Sequence, residues 1–286
     1  MSSKSRIRIT SQEVFERILE MISVSSIMTP RNEIVCCKPQ DTLKEIITLM
    51  ENKRFDCMPV IEGTNNQDGE FTKYLTIIKA IEKDESGFTY CRDAWTLIED
   101  KDKMGENLQI KELIERNPFQ NERSKIPFFL INKDKDIVGL ITSADLDKVA
   151  SRMYFYILFS ELEHSLLTTV AEEFDKIKEV CSCDECRKKR KQRKKWISKK
   201  LDEKLDEYHY LFLIEILHMV TEGPTLSKSH ERIKELLKTE TCKELSDFRN
   251  YIMHPKPIVT EKYPLSKLAD IQNLAYQILT IAKNGH

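Results

Sequence analysis

The segment DFRNYIMHPKP, residues 247–257, brings together three side-chain types that suit phosphodiester chemistry. Arg249 offers a guanidinium fork for a phosphate and for the added charge of its transition state. His254 can take or give a proton near neutral pH, and the amide of Asn250 can orient either group. RNA carries its own nucleophile, the 2′-hydroxyl, and the neighbourhood lacks the clustered carboxylates of a two-metal nuclease. The motif therefore predicts metal-independent RNA cleavage that leaves 2′,3′-cyclic phosphate ends.

A helix end has to aim these side chains at one target. Asn250 and His254 are four residues apart and share one face of a helix, whereas Arg249 lies about 140° around from His254. Because Pro255 disfavours helical geometry in the residue before it, we expect the helix to end at His254 and its last turn to relax. A helix C-terminus also favours a cationic imidazole.

Residues up to about 150 repeat one order of helix and strand patterns. The strand patterns MPVIE and FTKYLTII of the first unit correspond to KIPFFLIN and IVGLITSADLDKV of the second. Pro59 and Pro127 occupy matching positions, as do Thr76 and Thr142. This internal repeat predicts two similar α+β units that pack together.

The segments IMTP, DTLKEII, MPVIE and IVGLITSADL resemble those of cystathionine-β-synthase (CBS) domains. Residues 10–150 resemble a CBS-domain pair, with one repeat at about 20–84 and the other at about 90–150. The resemblance implies a regulatory module that binds an adenine nucleotide (AMP, ADP or ATP). Two unrelated α+β units, or a pair that serves only for dimerisation, are the alternatives.

The CBS resemblance also implies positions for the nucleotide. In the segment GLITSAD, Thr142 would meet a phosphate and Asp145 the ribose diol. Thr29 and Ile34, in the opening segment of the first repeat, would surround the base. The first repeat departs from the pattern because Lys79 stands where the acid belongs, and a lysine cannot accept ribose hydroxyls. We therefore expect one good site per chain.

Residues 151–286 show helical periodicity without strand patterns, which predicts an all-α helical bundle. Within it, RNYIMH is similar to the R-x4-6-H motif of the HEPN superfamily. That resemblance implies a small helical domain, often a metal-independent endoribonuclease, whose active site forms across a homodimer. Arg249 would hold the phosphate, His254 would act as acid and base, and Asn250 would assist. The alternative is that Arg249 forms a surface ion pair with Asp247 or Glu244 and that His254 only caps its helix.

A dense basic run follows three cysteines in the middle of the helical half. Eight of the nine residues 187–195 are basic, which attracts phosphate backbones, although a solvated loop or a nuclear address would look the same. Cys181, Cys183 and Cys186 precede the run, but a structural zinc wants four ligands and no second C-x2-C motif exists. We expect no metal here, with zinc at these cysteines as the alternative.

Composition limits the remaining possibilities. The net charge of −1 gives the whole chain no pull towards nucleic acid or membrane, so any attraction must be local. The N-terminus has no long apolar run, and no apolar segment approaches the length of a membrane span. Eight cysteines in such a chain indicate reduced thiols and a cytoplasmic protein.

Together these features predict an α+β CBS pair fused to an all-α bundle. The predicted function is an endoribonuclease that a nucleotide regulates through the continuous helix leaving the second repeat. A non-catalytic adaptor that senses nucleotide and binds RNA or a partner protein is the main alternative. A toxin-like HEPN domain held silent by a partner is another.

Overall fold

The computed structural model of the 286-residue chain describes residues 11–63, 69–116, 118–119, 126–171, 184–200, 211–223, 227–254 and 257–283. The chain forms two compact units. The N-terminal unit comprises Glu20–Arg152 together with Pro257–Ala269, and the helical unit comprises Met1–Leu19, Met153–Lys256 and Asp270–His286.

The helices and strands are as follows. The described helices are α1 (Ser11–Met21), α2 (Leu43–Lys53), α3 (Ile77–Glu85), α4 (Ile110–Arg116), α5 (Val149–Ala171), α6 (Asp184–Lys200), α7 (Leu213–Glu222), α8 (Lys228–Leu236), α9 (Thr239–Ile252) and α10 (Leu265–Lys283). The described strands are β1 (Thr29–Pro30), β2 (Cys57–Glu62), β3 (Glu70–Thr76), β4 (Thr96–Leu97), β5 (Lys103–Gly105), β6 (Phe128–Ile131) and β7 (Ile137–Ile141).

The N-terminal unit contains two small sheets that exchange strands between the sequence repeats. One sheet has the order β1-β7-β6-β5 and the other the order β2-β3-β4. Strand β1 of the first repeat therefore pairs with β7 of the second, and β4 at the start of the second repeat pairs with β3 of the first. The mixed α/β fold expected for this part of the chain is confirmed, and the exchange places the start of each repeat beside the end of the other.

Local capping explains where the helices of the first repeat begin. Thr42 and Glu45 form a capping box at α2. The segment FTKYLTII is strand only as far as Thr76, because the Thr76 side chain accepts a hydrogen bond from the Lys79 backbone N–H and starts α3. Before α2, Cys37 forms an isolated parallel β-bridge with Val60.

The helical unit is built around aromatic side chains of α5 and α9. The ring of Phe248 on α9 packs against Phe155 and Phe159 of α5, with centroids 5.2 and 5.6 Å apart. All three side chains are buried. Helix α9 ends at Ile252, two residues before the end expected at His254, and Pro255 lies outside the described residues. The helical C-terminal part agrees with the expectation of an all-α bundle.

Candidate nucleotide cleft and candidate catalytic motif

A cavity of about 350 Å³ opens in the N-terminal unit, within the size range of small-molecule sites. Thr29, Ile34, Thr142 and Asp145, the four residues predicted to hold a nucleotide, all line it. The remaining lining residues are Glu33, Val35, Lys53, Arg54, Phe55, Asp56, Cys57, Pro59, Pro127, Leu140, Ser143 and Ala144. The cavity therefore draws on both sequence repeats.

The pairing of β1 with β7 brings the two repeats together at this cavity. Thr29 is opposite Leu140 and Pro30 is opposite Gly139, so Thr142 follows directly after the paired segment. A side chain at position 139 would place its Cβ 2.8 Å from the backbone oxygen of Thr29. Glycine is thus the residue that allows β1 to approach β7 closely.

Asp145 is almost fully buried, with 7% of its surface exposed, and its carboxylate is already engaged locally. One oxygen accepts hydrogen bonds from the backbone N–H and the hydroxyl of Thr142, at 2.7 and 2.9 Å. The other oxygen lies 2.8 Å from the ammonium group of Lys148, which also donates to the backbone oxygen of Met28. Because a carboxylate offers about four lone pairs, it can accept a further hydroxyl while it keeps these partners.

Two cations on the rim of the cavity have no counterpart in the sequence motifs. Lys53 and Arg54 line the cavity at the end of α2 and are exposed. Arg54 caps α2 in the left-handed conformation, with φ of 59°, so the chain turns sharply into β2 at this point. These cations can meet the charge of a phosphate. Burial raises the pKa of the neighbouring Cys57 thiol, so that it is neutral and does not repel an anion.

The equivalent position of the first repeat is filled by a lysine side chain. The ammonium group of Lys79 donates to the backbone oxygen of Trp95 at 3.0 Å and to the hydroxyl of Thr96 at 2.9 Å. Thr96, on β4, is the counterpart of Thr29 on β1. The ammonium group of Lys79, which donates to the opening segment of the second repeat, therefore occupies the place where an acceptor for the ribose hydroxyls would be needed.

Residues 24–82 match the family profile of the CBS domain, so this part of the chain is a CBS domain. Among solved structures, the chain is similar to the CBS-pair protein CBSX2 from Arabidopsis thaliana at 14% identity and a TM-score of 0.36, over 46% of this chain and 96% of that one. It is also similar to the CBS domain of the bacterial CNNM/CorC family Mg2+ transporter in complex with ATP, at 20% identity and a TM-score of 0.35, over 48% and 94%. No curated protein sequence shows significant similarity to the chain.

Arg249, in the helical unit, forms an ion pair with a residue that is distant in sequence. Its guanidinium donates from Nε and Nη2 to the two carboxylate oxygens of Glu163 on α5, at 2.7 and 3.4 Å. The expected alternative partners were Asp247 and Glu244, but Glu163 is 86 residues away in sequence. The pair is partly exposed, so it contributes at most about 1 kcal/mol to stability. The pair engages the Nε–Nη2 edge of the guanidinium.

Asn250 and His254 are both exposed near the end of α9. The backbone N–H of His254 bonds to the backbone oxygen of Tyr251 at 3.2 Å, which is the tightened turn that follows the last helical residue. Asn250 stays within the helix while His254 lies beyond it. Their proposed catalytic roles remain predictions from the sequence motif.

The basic run is helical from Asp184 to Lys200, not a loop. Of the three cysteines before it, Cys181 and Cys183 lie outside the described residues. Cys186 is buried, and its sulfur lies 3.0 Å from Nδ1 of His218 on α7. In the part of the chain that the structure describes, no group of three or more potential ligands is placed to hold a metal ion.

None of the helices in the described ranges combines the length and apolar character needed to cross a bilayer.

Proposed function

We propose that the N-terminal unit binds one adenine nucleotide per chain as a regulatory ligand. The observation that supports this most strongly is the single cavity into which Thr29, Ile34, Thr142 and Asp145 converge from two sequence repeats. Its polar lining, which also contains Glu33 and Asp56, includes groups that suit both the ribose and the phosphate of a nucleotide. The buried carboxylate of Asp145 suits a ribose diol, and the cationic rim of Lys53 and Arg54 suits phosphate.

Titration calorimetry with AMP, ADP and ATP tests this proposal. We expect one nucleotide to bind per chain, and we expect Asp145→Ala to weaken binding about 10- to 100-fold, which is what the loss of one hydrogen bond to a charged group produces. Asp134→Ala removes the same charge from an exposed turn and is the matched control. Equal affinity for Asp145→Ala and the wild type, or no binding of any of the three nucleotides to folded protein, would refute the proposal.

We further propose that the helical unit cleaves RNA without a metal ion. The supporting observation is that Glu163 holds the Nε–Nη2 edge of Arg249, while Asn250 and His254 lie exposed at the end of the same helix. In this scheme Arg249 holds the phosphate, His254 transfers the proton of the 2′-hydroxyl, and Asn250 orients the attack. One such motif per chain points to a homodimer as the active unit.

A cleavage assay with end-labelled RNA tests the second proposal. His254→Ala should lower the rate by about 10²- to 10⁴-fold, while products of the wild type carry 2′,3′-cyclic phosphate ends. His164→Ala, which removes an exposed histidine from α5, is the control and should leave the rate nearly unchanged. Full activity in His254→Ala, or loss of wild-type activity with a chelator, would contradict the mechanism. If the protein binds RNA without cleaving it, the adaptor function is favoured.

A hydrogen-bonded segment offers a route from the nucleotide to the motif. Asp147 lies two residues after Asp145, and its carboxylate accepts the backbone N–H groups of Ile258 and Val259. Ile258 is fully buried and lies only four residues after His254. A ligand that engages Asp145 and shifts its neighbour Lys148 can therefore alter the anchor that holds the chain just beyond His254.

A further inference from the structure

Helix α6 concentrates positive charge in a chain whose total net charge is only −1. Its 17 residues include ten basic and two acidic side chains, whereas the whole chain has a net charge of −1. The rest of the chain is therefore net acidic. A local field of this kind attracts a polyanion to one surface without drawing it to the whole protein.

The helix is fixed to the helical unit through its first turns. Cys186 is completely buried, and its sulfur contacts His218 of α7. One turn later, the ammonium group of Lys189 lies 4.8 Å from the centre of the Phe212 ring, immediately before α7. These contacts anchor one face of α6 and direct the opposite face outward.

The outward face carries a stripe of lysines. Lys188, Lys191 and Lys195 are all exposed, and their spacing places them within about 60° of each other over a length of about 10 Å. The two acids, Asp184 and Glu185, lie in the first turn, where Asp184 is 3.4 Å from Arg187. Their carboxylates interact favourably with the positive end of the helix dipole, and the lysine stripe beyond them remains cationic.

An aromatic ring lies beside Lys189, on the flank of α6 between its buried face and the lysine stripe. Phe212 is 36% exposed although it is a large apolar side chain, and Lys189 covers part of its ring. Exposed rings beside cationic grooves act as stacking platforms for nucleic-acid bases. We propose that Lys188, Lys191, Lys195 and Phe212, the α6 surface, form a binding site for single-stranded RNA.

Single-stranded RNA fits the α6 surface better than an anionic membrane does. A helix that lies in a membrane interface needs large apolar side chains on one face. The apolar residues of α6 are Cys186, which is buried against α7, and Trp196 and Ile197, which follow the stripe in sequence and do not form an apolar face along it. The cations can pair with successive phosphates and the ring can stack on a base, and both interactions are independent of base sequence.

The inference deepens the proposed RNA chemistry but is tested by binding alone. A fluorescent 2′-O-methyl oligouridine lacks the 2′-hydroxyl nucleophile, so its affinity can be measured whether or not the protein cleaves RNA. The variant Lys188→Gln/Lys191→Gln/Lys195→Gln removes the stripe. The control, Lys228→Gln/Lys238→Gln/Lys243→Gln, removes three exposed lysines from the region of α8 and α9 in the same unit.

We expect the stripe variant to bind the probe at least about tenfold more weakly at 50 mM salt, with the control close to wild type. Each phosphate contact on a single strand contributes about −0.7 to the slope of log affinity against log salt, so the slope should become shallower by about 2. Phe212→Leu keeps an apolar side chain but removes the ring, and should weaken binding without changing the slope.

Three outcomes would overturn the α6 surface as an RNA site. One is a folded stripe variant whose slope of log affinity against log salt is unchanged. Another is a control variant that loses as much affinity for the probe as the stripe variant does. The third is a stripe variant that loses binding to phosphatidylserine vesicles but keeps its affinity for the probe, which would make the partner a membrane. An α6 surface that binds the probe in a protein without nuclease activity would leave this inference standing and refute only the proposed catalysis.

Discussion

Removing the carboxylate of Asp147 should release the segment 257–269 from the N-terminal unit. The Asp147 carboxylate accepts the backbone N–H groups of Ile258 and Val259, the latter at 3.2 Å, and Ile258 is fully buried beside it. A hydrogen bond to a charged group contributes about 1.5–3 kcal/mol to stability. Because water can reach part of this site, the two bonds together contribute less than twice the upper value. We therefore estimate that Asp147→Ala costs about 2–4 kcal/mol of local docking free energy, which raises the undocked population about 30- to 1,000-fold.

Amide hydrogen exchange measured by mass spectrometry can follow this release. Peptides that cover 257–269 should lose protection by that factor in Asp147→Ala, while peptides that cover β6 and β7 should exchange as in the wild type. Asp147→Asn keeps one acceptor oxygen at the same place and should retain most of the protection. Unchanged exchange of 257–269 in Asp147→Ala would show that the two hydrogen bonds do not hold the segment, and the proposed route from nucleotide to motif would fall with it.

Three further predictions concern the cleft and the thiols. Gly139→Ala should cost about 1–3 kcal/mol of unfolding free energy and weaken nucleotide binding, because the added Cβ meets the backbone oxygen of Thr29; an unchanged melting midpoint would contradict this. Lys79→Asp should release the hydroxyl of Thr96 and raise the nucleotide stoichiometry towards two per chain. A calorimetric stoichiometry that stays at one would contradict the proposal that Lys79 prevents binding at the first-repeat position. Burial raises the pKa of Cys36 to about 12, so its thiol should stay protonated and resist iodoacetamide in the folded protein until the pH approaches that value. Since the thiol of Cys36 ionises near pH 8.5 in the unfolded chain, its contribution to the free energy of unfolding is complete below that pH and is lost as the pH rises towards 12. Rapid alkylation of Cys36 in the native protein at pH 8 would contradict the raised pKa.

The cleft residues that the sequence could identify are those within short local motifs. Thr142 and Asp145 belong to one seven-residue segment, and the capping geometry that joins them is determined locally. Arg54 was missed because its place in the cavity depends on a left-handed helix cap and on the exchange of strands between repeats, neither of which leaves a pattern in the sequence. The repeat itself was recognisable, since the matching prolines lie within β2 and directly before the equivalent strand β6, and the matching threonines lie at the end of β3 and directly after β7.

In the helical unit the sequence indicated helices but not their partners. Glu163 contacts Arg249 across 86 residues, and such a long-range pair has no local signature in a chain with many exposed acids. Helix α9 ends two residues early because its final backbone bonds tighten at Tyr251. The basic run was open to interpretation as a loop because its charges repel one another, yet the buried contacts of Cys186 hold one face of the helix in place.

The most direct test of the proposed nucleotide site is a crystal structure of the full chain grown with the tightest-binding adenine nucleotide. We predict one nucleotide per chain in the cavity, with the ribose hydroxyls on Asp145, a phosphate near Thr142 and the base beside Ile34. A nucleotide bound beside Lys79 instead, or an empty cavity at saturating ligand, would contradict it.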